Sequence, residues 1–428
     1  MMSSFNEYPP LPSASALRSI ASDLARHLQE HGARMIAAIV EDLDLLPADA
    51  AHEVSATIHH LDAHLANEVI GHTRARAPIA PAGKEAWMML PANTTVYAIV
   101  EIARAALSGN PVRARMTRRA RLVSALIQRI FNEVLPERVH MERSLSGPDF
   151  VTRALDSDDV PFFMAWGGEA LGDELLARLP RGKQKRIVFE GPGKDPAIIL
   201  PGAHPREVAA ALISAKFAYS GQTCTAPENL LIHRSVHDEI VELLVSAAGQ
   251  RRVGDPREQD VDVGPMMSPK IPPLVKTQLS DAVAKGAEIL LGGRVEGAYV
   301  YPTVVTGVTP AMRIFRDETF APVFAICVFD SEEEAIALAR DSRFGLRVSA
   351  GGVGARRVID QLLGTDYAEP VAEITYGKFG IGSVDSFADS VGSPAFGGYG
   401  KSGWIWDRDQ LYQGPKATAR EATIPLRL

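Results

Sequence analysis

Apolar residues recur every three or four positions from Ser13 to about Val69. Leu17, Ile20, Leu24 and Leu28 form one series, and Met35, Ile36, Ile39, Val40 and Leu43 a second, with Gly32 and Pro47 as punctuation. The spacing predicts a set of amphipathic helices. A Pro-, Ala- and Arg-rich connection, Arg74 to Gly83, follows. Beyond it short apolar runs alternate with longer helical ones. Helices are expected over Val96 to Leu107, over residues 117–135 with Leu122, Leu126, Ile127, Ile130 and Phe131 inward, over Val208 to Tyr219, and in a stretch ending near Lys285. Strands are expected at Asp159 to Trp166, Arg186 to Phe189, Asn229 to His233, within Gly286 to Gly293, at Tyr301 to Val304, and at Val323 to Phe329. Such alternation is the pattern of an α/β protein.

The chain has 428 residues, which predicts two or three domains rather than one core. With 46% hydrophobic and 23% charged residues it reads as globular. The net charge of −7 argues against general nucleic-acid binding. No apolar run approaches the ~18 residues of a membrane span, and the N-terminal residues Met1 to Pro10 lack the basic and apolar regions of a signal peptide. Only two cysteines are present, Cys224 and Cys327, so no disulfide framework is expected and a reducing, cytoplasmic setting fits. Cys327 lies inside an apolar run and reads as a buried, inert thiol.

Cys224 is different. The stretch Gly221-Gln222-Thr223-Cys224-Thr225-Ala226-Pro227-Glu228 is a turn between a helix and a strand. A thiol at a glycine-bounded turn can be exposed and aimed, as a nucleophile must be; a small buried hydrophobe is the alternative. Upstream, Glu190 ends a strand and is followed by the turn Gly191-Pro192-Gly193. A carboxylate there can take a proton from a thiol or a water, or be a solvated turn acid. A third motif is the strand ending at Trp166, followed by Gly167-Gly168-Glu169-Ala170-Leu171-Gly172 and a helix. A strand, a glycine turn and a helix N-terminus can cradle a phosphate, or be an ordinary strand-to-helix turn.

Taken together, Glu190-Gly191-Pro192-Gly193-Lys194 and Gly221-Gln222-Thr223-Cys224 resemble the paired motifs of the aldehyde dehydrogenase superfamily. The resemblance extends to Asp317-Glu318-Thr319-Phe320-Ala321-Pro322-Val323 and to Ala395-Phe396-Gly397-Gly398, continuing to Gly403, and covers nearly the whole chain from about residue 15. It implies an α/β fold with a Rossmann-type cofactor domain (1–190, including the N-terminal helices), an α/β catalytic domain (191–390), and a C-terminal segment (391–428) whose strand joins a neighbouring subunit in a homodimer or homotetramer. It implies Cys224 as nucleophile, Glu190 as general base and Asn93 as an oxyanion donor. It implies Glu318 on the nicotinamide ribose, Phe320 against the nicotinamide, and Gly167, Gly168 and Gly172 at the cofactor phosphates. Where the family often reads Lys-Pro-Ser-Glu, this chain has Arg115-Met116-Thr117-Arg118. An arginine at the fourth place suits a 2′-phosphate, so NADP is expected over NAD.

The sequence departs from the family at Ala92 and Thr95, where a tryptophan and a proline are usual, and at Gly167-Gly168, a turn more like that of the acyl-thioester-reducing branches. The expected reaction is NAD(P)-dependent oxidation of a small-molecule aldehyde to an acid through a cysteine thioacyl intermediate. Reduction of an acyl thioester (coenzyme A or a carrier protein) is the first alternative, and a catalytically silent scaffold the second. No metal is expected.

Overall fold

The computed structural model describes residues 12–74, 84–362, 369–374, 397–407, 409–415 and 424–425. The chain opens with four helices, α1 (Ala14–Glu30), α2 (Gly32–Leu43), α3 (Pro47–Ala63) and α4 (Leu65–Arg74). The helical expectation for this region therefore holds. Their apolar faces, including Leu17, Leu24, Met35, Ile39 and Leu61, are fully buried against the first sheet.

That sheet is built from β1 (Ala86–Met89), β2 (Val112–Arg115), β3 (Val139–Met141), β4 (Phe162–Trp166) and β5 (Arg186–Glu190), with α5 (Ala98–Leu107), α6 (Arg121–Val134), α7 (Gly147–Asp156) and α8 (Glu169–Ala177) as connections. The five strands are parallel in the order β3-β2-β1-β4-β5. The chain leaves β1 for one side and then returns to the other, so the crevice beyond the carboxyl ends of β1 and β4 is a topological switch point, where α/β sheets bind ligands. The segment after β1 carries Asn93, and the segment after β4 carries Gly167 and Gly168. Helix α6 starts later than the periodicity predicts, and Leu122 is exposed rather than inward. It lies in the first turn of α6, where the Leu122 N–H is held by Asp42 and the inward series begins with Val123.

Between Glu190 and Asp195 the chain passes to a second sheet. It contains β6 (Asp195–Ile199), β7 (Pro227–His233), β8 (Glu288–Leu291), β11 (Thr303–Thr306), β12 (Val323–Phe329), β14 (Arg347–Gly351) and β15 (Glu369–Ile374). A small hairpin of β9 (Val295–Glu296) and β10 (Tyr299–Val300) stands apart. Helices α9 (Pro205–Phe217), α10 (Arg234–Gly249), α11 (Ile271–Ala284), α12 (Arg313–Arg316), α13 (Glu332–Arg340) and α14 (Ala355–Leu362) complete the unit. The order is β15-β14-β6-β7-β12-β11-β8, parallel except for the pairing of β8 with β11. Strand alternation sorts the core: Ile198 and Leu231 face one layer, Ile199, Leu230 and Ile232 the other. Cys327 is buried in β12, as its apolar neighbours imply.

The last strands return to the first sheet. They are β13 (Phe344–Gly345), β16 (Gly397–Gly400), β17 (Gly403–Asp407), β18 (Gln410–Pro415) and β19 (Ile424–Pro425). β17 runs antiparallel to β5, pairing Trp404 with Phe189 and Gly403 with Glu190. Trp404 and Trp406 are buried in the core with Phe150, Phe163 and Phe189. Phe344–Gly345 pairs antiparallel with β16. Of the expected inter-subunit tail, Ile424–Pro425 pairs with β18 of the same chain. The remainder of that tail, and Ala395-Phe396 of the expected signature, lie outside the described residues.

The turn after β5 is tightly seated. A Cβ on Gly191 would lie 2.3 Å from the Lys401 carbonyl oxygen, and the Gly191 N–H donates to Ser402 O at 2.8 Å. The neighbour is backbone, so it cannot swing aside. Gly191→Ala is therefore expected to destabilise the fold by about 1–3 kcal/mol, as overpacking does. Thermal denaturation checks this, and an unchanged midpoint would contradict it.

Candidate active site

Helix α9 ends at Phe217, and the backbone then enters an uncommon conformation. Tyr219 (φ 52°), Ser220 (φ 57°) and Gly221 (φ 78°) are three consecutive left-handed residues. Left-handed backbone costs a non-glycine residue roughly 1–2 kcal/mol, so the run persists only where its surroundings hold it. Those surroundings are specific. The Tyr219 N–H donates to Asp49 Oδ2 at 3.0 Å, and the Gly264 N–H donates to Ser220 Oγ at 2.8 Å. Gln222 donates from Nε2 to Tyr219 O at 3.1 Å and accepts from the Met267 N–H at 2.6 Å. Gly221 packs so closely on Ala321 that a Cβ would come within 2.4 Å of its carbonyl carbon. The result presents Cys224, half-buried, between the buried Thr223 and Thr225.

Glu190 is buried at the carboxyl end of β5. The turn after it folds over the cysteine loop. A Cβ on Gly193 would lie 2.1 Å from the Cys224 carbonyl oxygen, so only glycine fits there. The Gly193 N–H donates to Glu318 Oε1 at 3.0 Å. From the other side, Asn93 Nδ2 donates to Gln222 O at 2.9 Å. Four stretches distant in sequence, those of Asn93, Glu190, Cys224 and Glu318, thus meet at one place.

A buried ionic cluster fastens three of them. Glu228, in β7 after the cysteine loop, accepts from Lys194 Nζ at 2.8 Å and from Lys216 Nζ at 3.0 Å. It also accepts the backbone N–H groups of Thr319 at 2.9 Å and Phe320 at 3.1 Å. All three charged side chains are within 2% of complete burial. Burial works against the charge of Glu228, but the two lysines outweigh it and hold the carboxyl at about 2. Phe320 itself sits at φ 52°, a second strained residue held through its N–H.

The thiol faces acids. Burial pushes Cys224 up to about 12, and Asp195 and Glu318 add to the shift while Arg347 opposes it. Burial likewise raises Glu318 to about 8, helped by Glu228 and opposed by the Gly193 N–H and the two lysines. Asp195 is fully buried and lifted well above the usual carboxylate range. Its Oδ1 accepts the Arg347 N–H at 3.1 Å, while Oδ2 has no hydrogen-bond partner among the described residues. A cavity of about 770 Å³ borders the loop, lined by Thr223, Thr225, Asp49, His52 and Arg347. Lys194, Asp195, Lys216, Glu228 and Arg347 carry no assigned role in the sequence reading. Lys194 and Glu228 lie inside the quoted motifs, but nothing local marks two residues so far apart as a buried pair.

The residues expected at a nucleotide stand at the carboxyl ends of β2 and β4. Arg115 is buried and bonds the carbonyls of Met116 at 3.1 Å and Leu145 at 3.3 Å. Arg118 is exposed. It borders two grooves of about 490 and 350 Å³, the smaller also lined by Arg121 and Arg143. At the glycine turn the three glycines differ. A Cβ on Gly172 would strike the Phe189 ring at 2.6 Å, and one on Gly167 the Leu171 side chain at 2.6 Å, whereas Gly168 has open space in front of it. Glu169, in the first turn of α8, is bound by Arg343 at 2.9 Å. Among the described residues no group of His, Cys, Asp and Glu side chains is arranged to hold a metal ion, and no helix is long and apolar enough to cross a membrane.

The sequence profile of the Aldehyde dehydrogenase family matches residues 13–417. The chain belongs to the aldehyde dehydrogenase family. It is similar to a non-phosphorylating aspartate-semialdehyde dehydrogenase of Halomonas elongata, 30% identical over 64% of this chain and 52% of the relative. It also resembles a sulfoacetaldehyde dehydrogenase of Neptuniibacter caesariensis, 28% identical over 77% of this chain and 74% of the relative. The chain thus spans about half the length of the first of these relatives. Two solved structures share the fold. One is a glyceraldehyde-3-phosphate dehydrogenase of Methanocaldococcus jannaschii complexed with NADP, with a TM-score of 0.78, 22% identity, and 96% of this chain and 89% of that one covered. The other is a betaine aldehyde dehydrogenase of Staphylococcus aureus in complex with NAD+, with a TM-score of 0.78, 20% identity, and 97% of this chain and 82% of that one covered. The family and the α/β fold expected from the motifs are both present in this chain.

The thiol's environment sets its resting reactivity. With Cys224 held near 12, iodoacetamide alkylation of the free protein is expected to be slow at neutral pH. It should climb steadily through pH 10 without a plateau, since the thiolate is the reacting form. A plateau below pH 8, followed by mass spectrometry of the Cys224 peptide, would contradict this.

Proposed function

We propose that this chain oxidises a small-molecule aldehyde to the carboxylic acid with NAD(P), through a thioacyl intermediate on Cys224. The observation that carries the reading is the seating of Gly193 on the Cys224 carbonyl with its N–H on Glu318. One glycine thereby places the Glu190 turn, the nucleophile loop and a cofactor-side acid in one crevice.

Cys224 Sγ forms the bond to the aldehyde carbon as its proton passes to the Glu190 carboxylate, which gives it up to solvent before the second step, and the C=O π pair moves onto the oxygen as an oxyanion. Asn93 Nδ2 and the Cys224 backbone N–H donate to that oxygen, a role that preorganised neutral donors fill at no reorganisation cost at the moment of reaction. The amide of Asn93 carries two N–H donors, and its bond to Gln222 O holds it beside the loop. The chemistry that a bound NAD(P) would supply is a hydride acceptor, which would let the C=O bond re-form and leave the thioacyl group on Cys224. Glu190 then takes a proton from water, the water oxygen bonds to the acyl carbon, and the C–S bond breaks to release the acid and the Cys224 thiolate. A buried carboxyl at a strand end suits that step. The thioester-linked alternative needs no such acid, and Glu190 weighs against it.

The residues fit a dinucleotide. The open space in front of Gly168, beside the N-terminus of α8, admits a phosphate group. The groove beyond β2 gathers Arg118, Arg121 and Arg143 where an adenine ribose would lie, which supports NADP over NAD. Glu318 and Phe320 would hold the nicotinamide end.

Cys224→Ala is expected to abolish oxidation of every aldehyde tested, with absorbance at 340 nm as the readout; retained turnover would remove the nucleophile assignment. Arg118→Glu is expected to weaken NADP binding at least tenfold, which is about 1.4 kcal/mol, and to leave NAD binding within about threefold. Calorimetry with both nucleotides decides this, and unchanged NADP affinity would overturn the preference.

A further inference from the structure

Two acids one helical turn apart on α3 each grip the main chain of one arm of the site. Glu53, 2% exposed, accepts the N–H groups of Val96 at 2.7 Å and Tyr97 at 3.0 Å through Oε1. These are N–H groups that a helix leaves without an internal partner, and α5 begins at Ala98 with no side-chain cap of its own. Glu53 therefore caps α5 from another element, and in doing so fixes the turn that carries Asn93. Asp49 accepts the Tyr219 N–H through Oδ2 at 3.0 Å, at the first residue of the left-handed run before Cys224. The fully buried Tyr219 ring lies near both acids, and burial raises each carboxyl to about 7. The arms are also bonded directly at the outer end, through Asn93 Nδ2 and Gln222 O.

We infer that Asp49 and Glu53 are positioning residues that set the spacing between the Asn93 donor and the Cys224 nucleophile, so that the N-terminal helices are part of the catalytic apparatus. The inference rests on the roles proposed above for Asn93 and Cys224. The physical case is the strain. Tyr219 and Ser220 are both left-handed, a conformation that residues with a Cβ avoid unless it is held. Three contacts restrain that run from outside: the Asp49 carboxylate, the Gly264 N–H and the Gln222–Met267 bond. Removing the first lets the run relax and carries Cys224 with it. Removing Glu53 frees two N–H groups, the Val96 one buried and the Tyr97 one partly so, just before α5 and lets Asn93 drift. A misplacement of about 1 Å between donor and nucleophile costs on the order of a hundredfold in rate.

The test uses the full chain with Asp49→Ala, Asp49→Asn, Glu53→Leu and Glu53→Gln. Asn and Gln keep an acceptor oxygen at the same reach; Ala and Leu do not. Steady-state kinetics with saturating NAD(P) and a panel of aldehydes, Cys224 alkylation by iodoacetamide, and thermal midpoints are measured on each. The expected result is a fall in kcat of at least tenfold for Asp49→Ala and Glu53→Leu, with KM for NAD(P) within threefold of wild type. Asn and Gln should recover kcat to within threefold. Alkylation of Cys224 should speed up at least fivefold in Asp49→Ala only, because Asp49 holds the nucleophile arm and Glu53 the donor arm. Unchanged kcat in the Ala and Leu variants overturns the inference. So does a loss that Asn and Gln share equally, or one that tracks the thermal midpoint alone. Should Asp49→Ala or Glu53→Leu fail to fold, Asp49→Glu and Glu53→Asp, which keep the charge but misplace the acceptor, take their place with the same expected losses; wild-type rates from them overturn it. Alkylation is read without any aldehyde. A wild-type chain that oxidises none of the panel sinks the proposed activity while leaving the clamp on Cys224 to be judged by its alkylation rates.

Discussion

The structure hangs on a carboxylate with two ammonium partners in a place that water does not reach. Glu228, Lys194 and Lys216 are all buried, and none could remain charged there alone. Such a cluster is poor as a source of net stability, since desolvation offsets most of the attraction. It is effective at specifying geometry, because any arrangement that separates the partners leaves an unpaired charge in the interior. Here it joins the Glu190 turn, the end of α9 and the strand that follows the nucleophile. Through two N–H groups it also fixes the Glu318–Phe320 loop. The reactive groups sit just outside this cluster, on loops whose roots it holds.

Around that anchor the site is assembled from backbone conformations that an unsupported chain avoids. Tyr219, Ser220 and Phe320 are all left-handed, and each has a backbone or side-chain group tied to a different element. Glycine serves a complementary purpose. Gly193 and Gly221 are places where two backbones touch, so a side chain is excluded by space rather than by conformation alone. Strain and close approach occur together around Cys224, with no such crowding at Gly168, which has open space in front of it.

Much of this was legible in the sequence. Periodicity located the N-terminal helices and most strands, because a buried face leaves its spacing in the chain. The turn chemistry around Glu190 and Cys224 was legible because glycine and proline mark backbone geometry directly. The Glu228 cluster was not, since burial of a lysine depends on partners tens to hundreds of residues away and leaves no local trace. Asp49 and Glu53 were hidden for a related reason. On a helix wheel they look like ordinary polar positions, and only the packing of α3 against two distant loops gives their oxygens a target. Leu122 failed in the opposite sense: the apolar pattern ran one turn past the true inward face of α6, whose first turn is set by Asp42.

The return of β17 to the edge of β5 has a consequence for how the molecule comes to exist. The strand that ends in Glu190 pairs with Gly403–Asp407, more than two hundred residues later. During synthesis the first sheet must therefore wait with one side bare while the whole second sheet is made. Contacts of such sequence separation slow folding and leave a strand edge open to wrong partners in the interval. The final stretch of the chain is then the part whose arrival closes the acid's own strand. A nascent chain released short of residue 403 would hold the Glu190 and Cys224 motifs and lack the strand that pairs with the Glu190 strand.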